Sequence, residues 1–217
     1  MHKYGVLRAI KLIEKQVRHF QIPSVTLVAE KNDPYKILIS CILSLRTKDK
    51  TTIQASRRLF ETADTPKKML RVSEGRLQKI IYPVGFYRNK TKNILDISRV
   101  LLKEYGGKVP ADIDKLLTLR GVGRKTANLV LGLGFNIPSI CVDTHVHRIS
   151  NRIGWVKSPS PFDTEVALQQ ILPKSAWISL NTILVAFGQN ICLPVSPYCT
   201  KCILSSGCPR VGVGKSR

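Results

Sequence analysis

The sequence predicts an all-α protein, and three observations carry that expectation. Apolar residues recur at intervals of three and four rather than two. A capping side chain stands directly before proline at Asp33-Pro34 and Thr65-Pro66, the device that starts helices. Glycines at Gly106-Gly107 and Gly154 stand where apolar periodicity stops. Taken in order, Val6, Leu7, Ile10, Ile13 and Val17 form the stripe of a first helix that ends before Pro23. A second helix runs from Pro34 through Ile37, Leu38, Cys41, Ile42 and Leu45. Another starts near Asp49 and ends by Phe60, a short one follows Thr65-Pro66, and Ser73-Glu74 opens a further short one. The segment Tyr82-Pro-Val-Gly-Phe-Tyr-Arg-Asn-Lys90 breaks the pattern with proline, glycine and three aromatics among basic residues, and is expected to be an exposed loop. A long helix is expected over about 90–105 and a short one from the Asp112 cap to near Leu119. Later helices are expected over roughly 124–134, from Asp143 or Thr144 to Gly154, over 162–172 and over 175–189. The last residues, Val211-Gly-Val-Gly-Lys-Ser-Arg217, read as a frayed basic tail.

Thirty-five Lys and Arg against fourteen Asp and Glu give a formal charge of +21. A charge of that size is the electrostatic footprint of a polyanion partner, most often nucleic acid. The 43% apolar content supports a core and excludes a disordered chain. No uninterrupted apolar run approaches the ~18 residues a membrane span needs. Charges interrupt Met1–Ile10, so no signal-peptide core is read there, and an intracellular protein is expected. In a reducing compartment six cysteines are expected to be metal ligands or core residues rather than disulfides.

Residues 112–134 read as two helices joined by the turn Arg120-Gly121-Val122-Gly123-Arg124. Both glycines are expected where the chain reverses with little room for a Cβ. Backbone N–H groups at the start of the second helix, with Arg120 and Arg124 beside them, suit a phosphate and grip a DNA backbone without reading sequence. A nucleotide P-loop is excluded because Arg124, not glycine, precedes Lys125-Thr126. Lys125 lies in the first turn of that helix beside Arg120 and Arg124, surroundings that disfavour a further cation. The neutral amine is the nucleophilic form. Asp143 reads either as the cap of the next helix or as the acid–base partner of Lys125; about eighteen residues separate them, enough for a helix and a return. Cys192, Cys199, Cys202 and Cys208 fall within seventeen residues, with gaps of six, two and five. Four thiolates in one short loop can close around zinc or a [4Fe–4S] cluster. Cys41 and Cys141 sit in apolar runs and read as core residues.

Leu119-Arg-Gly-Val-Gly-Arg-Lys-Thr-Ala127, followed by Val142-Asp-Thr-His145, resembles the helix-hairpin-helix DNA glycosylases of the endonuclease III type. The cysteine loop resembles that family's [4Fe–4S] loop in spacing and position, and the resemblance extends from about Ile37 to Cys208. It implies a two-lobed all-α fold with DNA bound between the lobes. One lobe would be a six-helix bundle over 24–137 that ends in the hairpin; the other would join 1–23 to 138–217 and carry the cluster. It implies Lys125 as nucleophile, Asp143 as essential carboxylate, and Cys192, Cys199, Cys202 and Cys208 as ligands of a [4Fe–4S] cluster. Arg120, Gly121, Val122, Gly123 and Arg124 would bind the DNA backbone, and His145 would contact the strand. Arg46 stands where the family usually has a glutamine that fills the gap left by the flipped base, and Phe86 matches its intercalating position. Arg120 replaces the proline usual before the hairpin glycine. The implied function is a bifunctional glycosylase and abasic-site lyase for oxidised pyrimidines, acting as a monomer on double-stranded DNA with damaged bases or abasic sites, away from membranes. The alternatives are a mismatch or other base specificity on the same scaffold, and a non-catalytic DNA-binding Fe–S protein.

Overall fold

Every regular element among the described residues is helical. The computed structural model describes residues 5–21, 23–29 and 32–217. Met1–Tyr4, part of the N-terminal stretch read above, lie outside the described residues, as do Ile22, Glu30 and Lys31. The chain divides into two compact units, Pro23–Ile137 and Met1–Ile22 with Pro138–Arg217. No described helix is long and apolar enough to cross a membrane.

The Pro23–Ile137 unit holds α2 (Ser24–Ala29), α3 (Pro34–Ser44), α4 (Asp49–Thr62), α5 (Pro66–Met69), α6 (Glu74–Ile81), α7 (Tyr87–Tyr105), α8 (Ile113–Leu117) and α9 (Arg124–Phe135). Its centre is α3, whose run Ile37-Leu-Ile-Ser-Cys-Ile-Leu43 is buried on every face. A helix apolar all round belongs inside, and α2, α4, α7 and α9 pack around this one. Replacing Leu38 or Ile42 by alanine would cost about 2–5 kcal/mol in lost burial and cavity. The close approach of α9 depends on Gly134, where a Cβ would lie 3.1 Å from Pro34 Cα.

The starts of these helices follow from capping side chains. Asp33 Oδ1 accepts from the N–H groups of Tyr35 (3.0 Å) and Lys36 (3.1 Å). Asp112 Oδ1 accepts from Lys115 N–H at 2.9 Å. Thr65 and Ser73 cap α5 and α6 in the same way. One helix and one boundary differ from the sequence expectation, which had no helix over 24–29. Helix α2 has only six residues, too few for a periodic stripe to be read. Helix α7 starts at Tyr87 rather than near Lys90, because Phe86 takes a left-handed conformation (φ 57°) and turns the chain directly into the helix. Only Tyr82–Phe86 remains a turn. At the other end, Gly106 (φ 59°) stops α7, and Gly107 N–H donates to Leu101 O at 2.8 Å.

The second unit holds α1 (Val6–Val17), α10 (Thr144–Arg152), α11 (Pro161–Ile171) and α12 (Trp177–Asn190), followed by the cysteine loop with 3-10 turns at Cys199–Lys201 and Ser205–Gly207. Helix α12 packs on α1 and α10. Ile13, Val146, Ile149, Leu180, Leu184 and Phe187 form its core, and Leu204 anchors the loop to it. The N-terminal helix belongs here through Gln16, whose Nε2 donates to Lys201 O (2.6 Å) while its Oε1 accepts from Ile203 N–H (3.1 Å).

The C-terminal residues are not frayed. Val211 N–H donates to Arg152 O (3.0 Å), Arg217 N–H to Pro197 O (2.8 Å), and Thr200 N–H to Arg217 O (3.0 Å). The Arg217 guanidinium lies 4.2 Å from the centre of the Tyr198 ring. These ties are non-local backbone bonds and a cation–π contact, which leave no trace in hydrophobic periodicity.

Candidate nucleic-acid interface and cysteine centre

In the hairpin, α8 closes with Leu119 N–H donating to Leu116 O (3.2 Å), and Val122 N–H donates back to Leu119 O (3.0 Å). Val122 is buried, so its side chain fixes the turn while Arg120, Gly121, Gly123 and Arg124 are exposed. Gly121 needs to be glycine twice over. Its φ is 79°, and a Cβ would lie 2.5 Å from Asn93 Nδ2 of α7. Gly123 differs from the sequence expectation. It sits at φ −101° as the N-cap of α9, and a Cβ there would meet nothing within 4 Å. Its missing side chain leaves open space in front of the α9 N-terminus, which is what a phosphate approaching backbone N–H groups requires.

Lys125 is the second residue of α9 and its side chain is exposed. Its charge reaches Cys41 of α3: burial pushes that thiol up to about 12, and Lys125 acts in the opposite direction. Cys41 and Cys141 are both buried and unbridged, in line with a packing role.

The turn Leu45–Thr47 carries Arg46 at φ 51°, with its guanidinium 5.7 Å from the centre of the Phe86 ring. Arg46 and Phe86 are both exposed, Phe86 by 60%. Beneath them, the ammonium of Lys90 is buried and donates to Leu43 O (2.8 Å), Leu45 O and Thr47 Oγ1 (3.0 Å). Burial pushes Lys90 down to about 8. The sequence reading placed Lys90 only as a helix start and missed this role.

In the other unit, Asp143 caps α10. Its Oδ1 accepts from the N–H groups of His145 and Val146, both at 2.9 Å, so the cap does not commit Oδ2. The cap reading and the acid–base reading of Asp143 are therefore compatible. His145 packs its ring against Gly188 of α12, where a Cβ would lie 2.4 Å from His145 Nδ1. The same nitrogen lies 3.1 Å from an Arg148 terminal nitrogen. Arg148 also donates to Gly188 O (3.3 Å) and Cys192 O (2.8 Å). Burial lowers the Arg148 pKa, and the neighbouring Cys192 and Asp143 act against that shift.

One turn further along α10, buried Arg152 donates to Leu193 O (2.7 Å), Pro194 O (3.1 Å) and Cys192 Sγ (3.5 Å). The sequence reading missed both arginines. The two arginines are four residues apart, which puts them on one face of α10 and is the signal that could have exposed them.

Cys192, Cys199, Cys202 and Cys208 all line one pocket, together with Arg152, Phe187 and Val213. No three His, Cys, Asp or Glu side chains among the described residues stand close enough to hold a single ion. The four thiols thus surround a space rather than a point. Burial pushes Cys202 up to about 11 and also raises Cys208. Such sites favour neutral thiols unless a strongly positive centre stands among them.

Within Pro23–Ile137 stand the hairpin turn and the Arg46–Phe86 pair; within the other unit stand the Asp143–His145–Arg148 group and the four cysteines. Lys125 belongs to Pro23–Ile137 and Asp143 to the other unit.

Residues 39–174 match the HhH-GPD superfamily of base excision DNA repair proteins. Endonuclease III of Thermotoga maritima is 47% identical over 191 residues, 87% of this chain and 90% of that protein. The chloroplastic endonuclease III homolog 2 of Arabidopsis thaliana is 44% identical over 82% of this chain, which spans 49% of that longer protein. Two solved structures superpose with a TM-score of 0.85 at 34% identity, covering 94% of both chains. One is a non-covalent endonuclease III–DNA complex and the other a trapped covalent endonuclease III–DNA intermediate. A thermostable thymine-DNA glycosylase follows at a TM-score of 0.80 and 26% identity, covering 93% of this chain and 92% of that one. With its glycine turn, its first-turn lysine and its four-cysteine loop, this chain belongs to the endonuclease III family of the HhH-GPD superfamily of base excision DNA repair proteins.

Proposed function

We propose that this chain is a bifunctional DNA glycosylase and abasic-site lyase of base excision repair, that it removes oxidised pyrimidines, and that Lys125 and Asp143 carry the chemistry. The observation that supports the assignment most strongly is the place of Lys125, exposed in the first turn of α9 directly behind the turn Gly121–Gly123. Phosphate held by that turn would bring the sugar to the amine. The target nucleotide must leave the stack before C1′ can be attacked. The Lys125 ammonium gives a proton to Asp143 and its free amine adds to C1′; the C1′–N bond breaks with its electron pair leaving on the base, which takes up the proton released by the newly bonded nitrogen. Oδ2 of Asp143, outside the cap, is the oxygen suited to accept the lysine's proton and to stabilise positive charge on the sugar. Ring opening breaks the C1′–O4′ bond, returns that proton from Asp143 to O4′, and leaves a Schiff base between Lys125 and C1′. It acidifies the C2′ hydrogen. Loss of that proton breaks the C3′–O bond, cuts the strand on the 3′ side, and leaves water to hydrolyse the imine and free the lysine.

Arg46 and Phe86 would enter the duplex, Arg46 facing the orphan base and Phe86 wedging beside it. Arg120 and Arg124 would add charge at the backbone, and His145, held against Gly188, would contact the strand beside Asp143. Cys192, Cys199, Cys202 and Cys208 would hold a [4Fe–4S] cluster, a reading supported by their lining one pocket and by their spacing in a single loop. The cluster would supply structure, fixing the loop that includes Lys201. Its place of work would be with DNA inside the cell, as a monomer.

The test is strand nicking on a duplex with a single thymine glycol. Wild type should release the base and cut. Lys125→Ala should do neither, and Asp143→Asn should lower both by orders of magnitude while binding is retained. Undiminished cutting by Lys125→Ala would remove the assignment. A second reading, mismatch or other base specificity, is favoured by Arg46, whose guanidinium offers donors where a glutamine would offer a donor and an acceptor. Preferential release of a mismatched normal base over thymine glycol would establish it.

A further inference from the structure

The two residues read as entering DNA come from different parts of the chain, yet beneath them is a single hydrogen-bonded knot. Helix α3 ends at Ser44, leaving carbonyl groups at its C-terminal end without intrahelical donors. The Lys90 ammonium takes two of the carbonyls there, Leu43 O and Leu45 O, and sits where a helix dipole favours a cation. Its third bond goes to Thr47 Oγ1. That same oxygen accepts from Gly85 N–H at 3.2 Å, one residue before Phe86. Gly85 is held so close that a Cβ would lie 2.6 Å from Arg46 O. The chain through Lys90, Thr47 and Gly85 thus joins the Arg46 turn to the Phe86 turn.

Both tips are in left-handed conformations, Arg46 at φ 51° and Phe86 at φ 57°. Residues with side chains hold that conformation only where their surroundings enforce it. The guanidinium of Arg46 rests against the Phe86 ring. Without the ammonium, two carbonyls and a hydroxyl would lose a donor in a buried place. The turn would open to reach water, and Arg46 would be free to relax to negative φ and leave the ring.

We propose that Lys90 is a positioning residue, acting through Thr47 and Gly85 to lock Arg46 and Phe86 into one two-pronged element that sets the opposite-base preference as a unit. The inference rests on the reading of Arg46 and Phe86 given under the proposed function. It extends that reading from two separate fingers to one rigid device. A lysine that served stability alone would change the overall rate or the melting temperature without changing which opposite base is preferred.

The experiment measures single-turnover cleavage of an abasic site opposite each of the four bases, using iron-loaded full-length protein. The quantity compared is the ratio of the fastest to the slowest rate. Arg46→Ala should collapse that ratio by about fivefold, within the coupling range of contacting residues. Lys90→Met and Thr47→Val should collapse it to within about twofold of the same value, and Thr47→Ser, which keeps the oxygen, should retain the wild-type ratio. The double variant Lys90→Met/Arg46→Ala should be no worse than Arg46→Ala alone. If Lys90→Met does not fold, the Val and Ser variants of Thr47 carry the test. Additive effects, or lower rates with the wild-type ratio preserved, would overturn the proposal while leaving the role of Arg46 in place. Equal rates opposite all four bases in wild type would overturn the role of Arg46, and the proposal with it.

Discussion

The Arg46 turn and the cysteine loop are built on the same device, a cation withdrawn from solvent that gathers backbone carbonyls, but the kind of cation differs. Lys90 gathers Leu43 O and Leu45 O; Arg148 and Arg152 gather Cys192 O, Leu193 O and Pro194 O. An ammonium is a compact group that can lose its proton, and burial has already moved Lys90 down to about 8. A guanidinium keeps its charge, and its fork of donors spans adjacent carbonyls. The loop that would hold four thiolates around one centre is thus fixed by guanidinium groups. The turn that would meet DNA is fixed by an ammonium.

Removing each cation should break the comparison where it is strongest. Arg152→Met leaves Leu193 O and Pro194 O without their donor and takes a positive charge from beside Cys192. It should cost about 3 kcal/mol or more and lower iron and sulfide content measured after purification. Lys90→Met should cost less, about 2 kcal/mol, because the lost bonds are partly offset by relief of a buried charge. Its iron content should be that of wild type. Equal iron loss in the two variants would erase the distinction.

The pH dependence sharpens the contrast. The folded-state pKa of Lys90 is depressed, so between about 8 and the ordinary lysine value near 10.5 the unfolded chain binds the extra proton. The penalty for burying the ammonium is present in full below about 8 and is relieved as pH rises through that window. Denaturant melts should therefore show wild type gaining stability relative to Lys90→Met from pH 8 to 10. The neutral amine has two N–H donors for three acceptors, so opposite-base discrimination should fall over the same range. A smaller effect belongs to the hairpin. Gly121→Ala, strained at φ 79° and pressed on Asn93, should cost about 1–2 kcal/mol and weaken binding to abasic DNA. Gly123→Ala, with open space and negative φ, should leave stability nearly unchanged and weaken binding all the same.

What the sequence made legible were features with local chemical grammar. The caps at Asp33, Thr65, Ser73, Asp112 and Asp143 all accept the backbone bonds that capping requires. The four-cysteine spacing and the glycine turn needed no partner elsewhere to be recognised. Hidden features depended on residues distant in the chain. Lys90 reads only as the start of a helix, because burial of a cation depends on Leu43, Leu45 and Thr47 arriving above it. Arg148 and Arg152 were hidden in the same way by a loop forty residues downstream. The tail 211–217 misled for a related reason: its partners are Arg152, Pro197, Tyr198 and Thr200, and its own residues have no periodicity to announce them.

The most direct test of the account is borohydride trapping on duplexes that carry thymine glycol, an abasic site or undamaged sequence, followed by peptide mapping of the adduct. The account predicts a covalent protein–DNA adduct on the first two, located at Lys125 and lost in Lys125→Ala. An adduct at another lysine, or none from folded and iron-loaded protein, would contradict it.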